Sequence, residues 1–365
     1  MVLHTRTLLA ALALMALAAP LLAADLAKGL KKGSVELKAA GPLSFGPEGI
    51  LFIGDPEAAA IYAVSTGDTK GDPSSVKLNV DQIDAKAAAA LGTKASEILI
   101  NDMAVNPLSG NVYLSVSRGR GPDASIAVLK VDAKGEIAEV SLSDVPMSKS
   151  AIQNAPAPGG SGRDNQRAMS ITDLEFADGR LIVAGLSNEE FASSLRSLDF
   201  PFQEKADSAS VEIFHGAHGR VETRSPVRTF TTYEIAKQPH VLAAYTCTPL
   251  VKFPLDQLKS GAKVTGVTIA ELGNRNRPLD MFVYSKGGED FILMANSARG
   301  VMKISTKDAE RDSGIAEKIS GTAGQTYETI ESLQGVEQLD RLNKTSALIL
   351  ARDDSGLNLR TIELP

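Results

Sequence analysis

Three aspartates occupy matching places in a recurring pattern: Asp102 in INDMAV, Asp173 in ITDLEF and Asp280 in PLDMFV, each where a short apolar strand starts. A further copy near the C-terminus offers Gln338 or Asp340 in VEQLDRL for the same place, and the spacing leaves both open. Carboxylates gathered around one opening repel unless a cation or arginines sit among them. Oxygen ligands suit a hard ion such as calcium. Asp102, Asp173 and Asp280, with Asn101 and Asn296 nearby, form that candidate set. The competing reading is structural, because an aspartate at a strand start often accepts from backbone amides of the adjacent turn.

A softer set of candidates lies elsewhere. Cys247, the only cysteine, ends an apolar strand in YTCTPLVKF. One cysteine allows no internal disulfide, so the core must hold the fold. Cys247 is either a small buried hydrophobe or a metal ligand or reactive thiol. A reactive thiol needs a cation or histidine beside it. Outside the first residues the histidines are His215 and His218 in FHGAHGR, and His240. HxxH is not the i, i+4 pair with which one helix face binds zinc. On a strand, residues three apart point to opposite faces. Joint ligation by His215 and His218 therefore requires a turn at Gly216.

A third group is polar and sits in loops: Arg118, Arg120, Glu189, Glu190, Arg275, Arg277 and Arg299, with Cys247 among them. Arginine forks suit carboxylate or phosphate. Several chemistries lack their motif. There is no phosphate-binding Walker loop, dinucleotide fingerprint, GxSxG elbow, zinc cysteine pattern or haem CxxCH. Tryptophan is absent, and with it the Trp-containing blade motif of large quinone-binding proteins. A net charge of −6 argues against a nucleic-acid partner.

These residues are carried by short apolar or β-branched strands separated by turns, without regularly spaced helices. A unit of three strands recurs six times, and the middle strands read ILFIG, VYLSV, LIVAG, VLAAY, FILMA and ALILA. Such strands suit burial on both faces between neighbouring sheets. Outer fourth strands are expected at Val76–Val80, Ile137–Leu142, Val211–Phe214, Val264–Ile269 and Ile315–Ile319, whereas the last unit reaches Pro365 without one. Ser34–Ala39 (SVELKA) is a surplus strand. The expected fold is thus an all-β, six-bladed β-propeller whose N-terminal strand completes the last blade, with seven blades as the alternative. Asp81–Gly92 reads as one short helix ending at a glycine, and 148–167 as a long loop.

Residues 1–24 read as a signal peptide: an apolar run from Leu8 to Leu22, shorter than a membrane span, then Ala23 and Ala24 before Asp25. Residues 25–365 are expected to form one propeller domain, exported to a bacterial periplasm or secreted, with no membrane span. The layout resembles six-bladed propellers of the lactonase/gluconolactonase and NHL-like kind, in architecture and not in motif. In the lactonase-like families a calcium ion sits at the channel mouth. The resemblance implies that Asp102, Asp173 and Asp280, with Asn101 and Asn296, are the residues to hold it here. Three readings follow. The first is a binding or scaffold module that takes a protein or small-molecule ligand on its loop-rich channel face. The second is a calcium-dependent hydrolase using channel-mouth carboxylates. The third is a transition-metal site that uses Cys247 with a histidine.

Overall fold

The computed structural model describes residues 26–119, 124–160, 165–202, 207–311 and 313–365. Six sheets, antiparallel apart from one short parallel pairing, form a ring, each with its first strand at the centre. The inner strands are Leu43–Phe45, Ile98–Val105, Asp173–Ala177, Val227–Ile235, Pro278–Lys286 and Val336–Arg341. We call their sheets blades I to VI. The middle strands are buried on both faces, as their composition demands: Ile50, Leu51, Phe52 and Ile53 in blade I have no accessible surface. No helix among the described residues is long and apolar enough to cross a membrane.

The core is six separate apolar layers, one between each pair of neighbouring blades, and the layers give the order of the ring. Blade II packs on blade I through Tyr113 and Leu51, and on blade VI through Leu114 and Leu350. Blade I meets blade III through Phe52 and Val183. The remaining layers join III to IV, IV to V and V to VI. The ring therefore runs I, III, IV, V, VI, II. Blade II, second in sequence, lies between the first blade and the last.

That order corrects the expected closure. The last blade does lack a fourth strand, but Ser34–Ala39 does not supply it. Asn79–Val80 does, pairing with Leu359 and Arg360. The chain passes the edge of blade VI on its way from blade I to blade II, so this segment is the one at hand. Blade I is in turn completed by Val145–Ala151, on the way from blade II to blade III. Lys31–Gly33 adds one more strand outside it. Ser34–Ala39 runs as extended coil along blade I, held by the Val35 amide on the Leu142 carbonyl and the Lys38 amide on Asp55. Two further outer strands differ from expectation. Blade V is completed by Tyr327–Thr329 instead of 315–319, and Lys263–Thr265 pairs in parallel with blade III. The expected helix is present at Ile83–Ala90, with Gly92 at positive φ beyond it. It buries Ile83 and Ala87 in the layer between blades II and VI.

Closure by the segment around Val80 has a measurable consequence. Leu78 and Val80 are each 4 % exposed, so Leu78→Ala should cost about 2–5 kcal/mol of stability. Deleting residues through Gly33 removes an outermost edge strand, the turn Leu26–Gly29 and the part-buried Leu30, and should cost less. Denaturant titration of the two variants compares them, and the reverse order would refute this closure.

Candidate functional site

The predicted carboxylates do meet. Asp102, Asp173 and Asp280 form a tier at the waist of the central channel, and Asp340, not Gln338, is the fourth member. Cavities of about 350 and 320 Å³ open on either side of the tier. Each aspartate reaches across to the next blade. Its Oδ2 accepts from a backbone amide there: Leu43 to Asp102 at 2.6 Å, Phe230 to Asp173 at 2.8 Å, Leu339 to Asp280 at 3.0 Å and Val105 to Asp340 at 2.7 Å. The Oδ1 atoms of Asp173, Asp280 and Asp340 accept from the next amide of their own strand. The inner strands have one free edge each, and these carboxylates satisfy amides that no neighbouring strand can. They are ties between blades. Asn101 stands on one side of the tier, its amide donating to Leu99 and Ser117 of its own blade. Asn296 is not part of the group; it is buried against Asn276 at the junction of blades IV and V.

Burial dominates the ionisation of the tier, and mutual repulsion adds to it. Asp102 and Asp280 are raised well above the ordinary carboxylate range, and Asp173 and Asp340 are each raised to about 6. Glu175, on the same wall and bonded to the amide and hydroxyl of Thr232, is raised by burial to about 7.

The softer candidates also meet, between blades III and IV. The outer strand of blade III, Asp207–His215, turns through Gly216–Gly219 into the short strand Arg220–Glu222. The turn is closed by the amides of His218 and Gly219 donating to the His215 carbonyl, with Gly219 at φ +65°. It folds His218 back over His215, so that the ring centroids are 3.8 Å apart. The turn that joint ligation required is present. Glu222 lies beneath both rings, its oxygens 3.0 Å from His215 Nδ1 and 2.6 Å from His218 Nδ1. Burial works against the charge on Glu222. Hydrogen bonds from His215, His218 and Ser225 outweigh it and hold the carboxyl down at about 2. A charged Glu222 is an acceptor, so each imidazole donates to it through Nδ1 and has Nε2 left over. His215 is nearly buried, and its Nε2 has no hydrogen-bond partner.

Cys247 faces them from blade IV. It starts the third strand of that blade at a bulge in the pairing, with its backbone at φ +91°. A left-handed conformation at a non-glycine residue costs on the order of 1–3 kcal/mol and is held only by its surroundings. One ligand atom each from His215, His218 and Cys247 lie within 4.8 Å of one another. A buried carboxylate from blade IV packs against the turn. Glu271 is 1 % exposed, accepts from the Gly216 amide at 2.6 Å through Oε1 and leaves Oε2 without a partner. It lies so close that a Cβ on Gly216 would stand 2.7 Å from Oε1, so a side chain at this position would push the carboxyl aside.

The other predicted residues do not join either group. His240 is buried near the opposite end of the neighbouring strand, its Nδ1 on the Gln238 carbonyl. Glu189 is engaged by Asn154 and Ser210. Arg299 donates to the Asn274 carbonyl. Arg118, Glu190, Arg275 and Arg277 are exposed, and Arg120 lies outside the described residues. Two members of the cluster escaped the sequence reading. Glu222 had a signal, since HGAHGRVE places it four residues beyond His218 and directly after a glycine turn. Glu271 had none, because it arrives from blade IV.

Fold and site together define a six-bladed β-propeller with a two-histidine, one-cysteine cluster between two blades. No protein family matches the chain, and no curated protein does. Solved structures match it at low identity. The PQQ-bound aldose sugar dehydrogenase of Streptomyces coelicolor is 12 % identical over 91 % of this chain and 97 % of its own, with a TM-score of 0.38. A streptogramin B lyase is 7 % identical over 92 % and 97 %, at 0.39. A putative oxidoreductase (glucose dehydrogenase) of Thermus thermophilus is 13 % identical over 91 % and 100 %, at 0.38.

Proposed function

We propose that this chain is an exported propeller that binds a transition-metal ion, copper or zinc, through His215, His218 and Cys247. The observation that carries the proposal is the convergence of the three ligand atoms within 4.8 Å, with both Nδ1 atoms already committed to Glu222. Imidazole and thiolate suit borderline and soft ions, copper and zinc foremost. A carboxylate behind each ligating histidine fixes its tautomer and orientation and raises its basicity. The charges point the same way. Glu222, held ionised by its hydrogen bonds, and a ligating thiolate bring negative charge to the cluster, and a divalent cation offsets it. Export, read from residues 1–24, belongs to the same proposal. Ligation would also protect a lone thiol in an oxidising compartment.

The readings as a channel-face scaffold and as a calcium-dependent hydrolase have less support, since the aspartate oxygens of the channel are engaged by backbone amides across the blades. Elemental analysis of the purified protein tests the proposal. One copper or zinc per chain is expected, lost in Cys247→Ala and retained in His240→Ala. Glu222→Gln should keep the ligands but weaken binding by about 10–100-fold. Metal-free protein that takes up neither ion would end the proposal.

A further inference from the structure

The cluster offers three donors, and among the described residues no fourth histidine, cysteine or carboxylate offers an atom within 4.8 Å of all three. Structural zinc sites are closed by four protein ligands. Sites that act on substrates keep three and leave one position to water. Solvent has access here, because the His218 side chain is 44 % exposed. On the buried side stands Glu271, with one oxygen on the Gly216 amide and the other without any partner. A buried carboxylate oxygen with no donor is costly and rare in a folded protein. It also has no cationic side chain paired with it among the described residues. Gly216, the backbone that Glu271 grips, sits between the two histidine ligands, so the free oxygen lies beside the cluster and outside it.

Resting on the metal reading above, we infer that the site is an open, water-activating centre and not a structural one. The fourth position takes a water molecule, and Glu271 Oε2 is its hydrogen-bond acceptor. In this arrangement Glu271 is a positioning residue, whose free oxygen holds and orients that water. No oxidant or further reactant is needed. The chemistry fits hydrolysis of a polarised substrate, and the ligands that would compete for the position are small anions.

Cobalt(II) substitution with azide as the probe tests this without a substrate. The cobalt protein should show thiolate-to-metal charge transfer and visible d–d bands, and azide should shift those d–d bands by displacing the water. Glu271→Gln keeps the acceptor that holds Gly216 and removes the charge beside the open position. It should retain cobalt stoichiometrically and bind azide at least about tenfold more tightly, since a full charge next to an incoming anion is gone. An unmodified cobalt protein whose bands ignore azide would mean that a protein side chain closes the site, and the inference would fall. It would fall equally if Glu271→Gln lost the metal, which would make Glu271 a ligand, or left azide affinity unchanged. A protein that binds no cobalt, zinc or copper fails at the earlier step, and that outcome is distinct from the others.

Discussion

Metal-free protein titrated with zinc should gain several kcal/mol of stability, and Cys247→Ala should abolish the gain. The argument is one of linkage. An ion that binds only the folded chain stabilises it in proportion to the logarithm of its concentration over the dissociation constant, about 4 kcal/mol at a thousandfold excess. The ligands come from two blades, His215 and His218 from III and Cys247 from IV. They are therefore brought together only by the fold, and unfolding releases the ion. Assembling the cluster is itself costly to the folded chain: it buries His215 Nε2 and a Glu271 oxygen without protein partners and holds Cys247 at φ +91°. Removing the thiol withdraws one of three donors while leaving the strand in place, so Cys247→Ala itself should fold. Thermal unfolding with and without zinc, in both proteins, gives the answer. An equal rise in both would show that the ion acts elsewhere.

The second large effect should come from the channel. The protein should be most stable in mild acid and lose stability as the pH rises toward 8. Burial raises Asp173 and Asp340 to about 6 and Glu175 to about 7, and raises Asp102 and Asp280 as well. A carboxyl whose folded value lies above its unfolded value holds a proton in the folded state that the unfolded chain has already lost. Stability therefore falls as pH rises through the window from the unfolded value near 4 to the folded value near 7. Each pKa unit corresponds to about 1.4 kcal/mol. The groups line the channel cavities and are part-exposed, which screens them, so the summed loss should be about 3 kcal/mol between about pH 5 and about pH 8. Glu222 acts in the opposite sense. Its carboxyl is held down at about 2, so its contribution is present above the unfolded value near 4 and lost as pH falls below it. The two together put the maximum near pH 5. Denaturant midpoints across that range measure it. Asp173→Asn should flatten the fall, at the cost of setting an amide donor against one of the two backbone amides that Asp173 accepts from. A flat or rising profile above pH 5 would refute this account of the tier.

The sequence by itself determined what local pattern can determine. Six copies of an apolar middle strand, each between turn residues, dictate six blades, because strands so apolar must be covered on both faces. The equivalent placing of Asp102, Asp173 and Asp280 put them in one tier for the same reason: a repeated unit arranged around an axis superimposes equivalent positions. The last blade's missing strand could be counted. Which segment supplied it could not, because a two-residue pairing such as Asn79–Val80 carries almost no signal and the ring order is a matter of packing. The cluster of His215, His218 and Cys247 divides in the same way. His215, His218 and Glu222 lie on one hairpin, so their association is local and needed only the turn at Gly216. Cys247 and Glu271 come from blade IV, and only the packing of that blade against blade III sets them beside the histidines. Side-chain contacts between sheets depend on the distances and angles at which whole blades meet, and no stretch of the chain encodes those on its own.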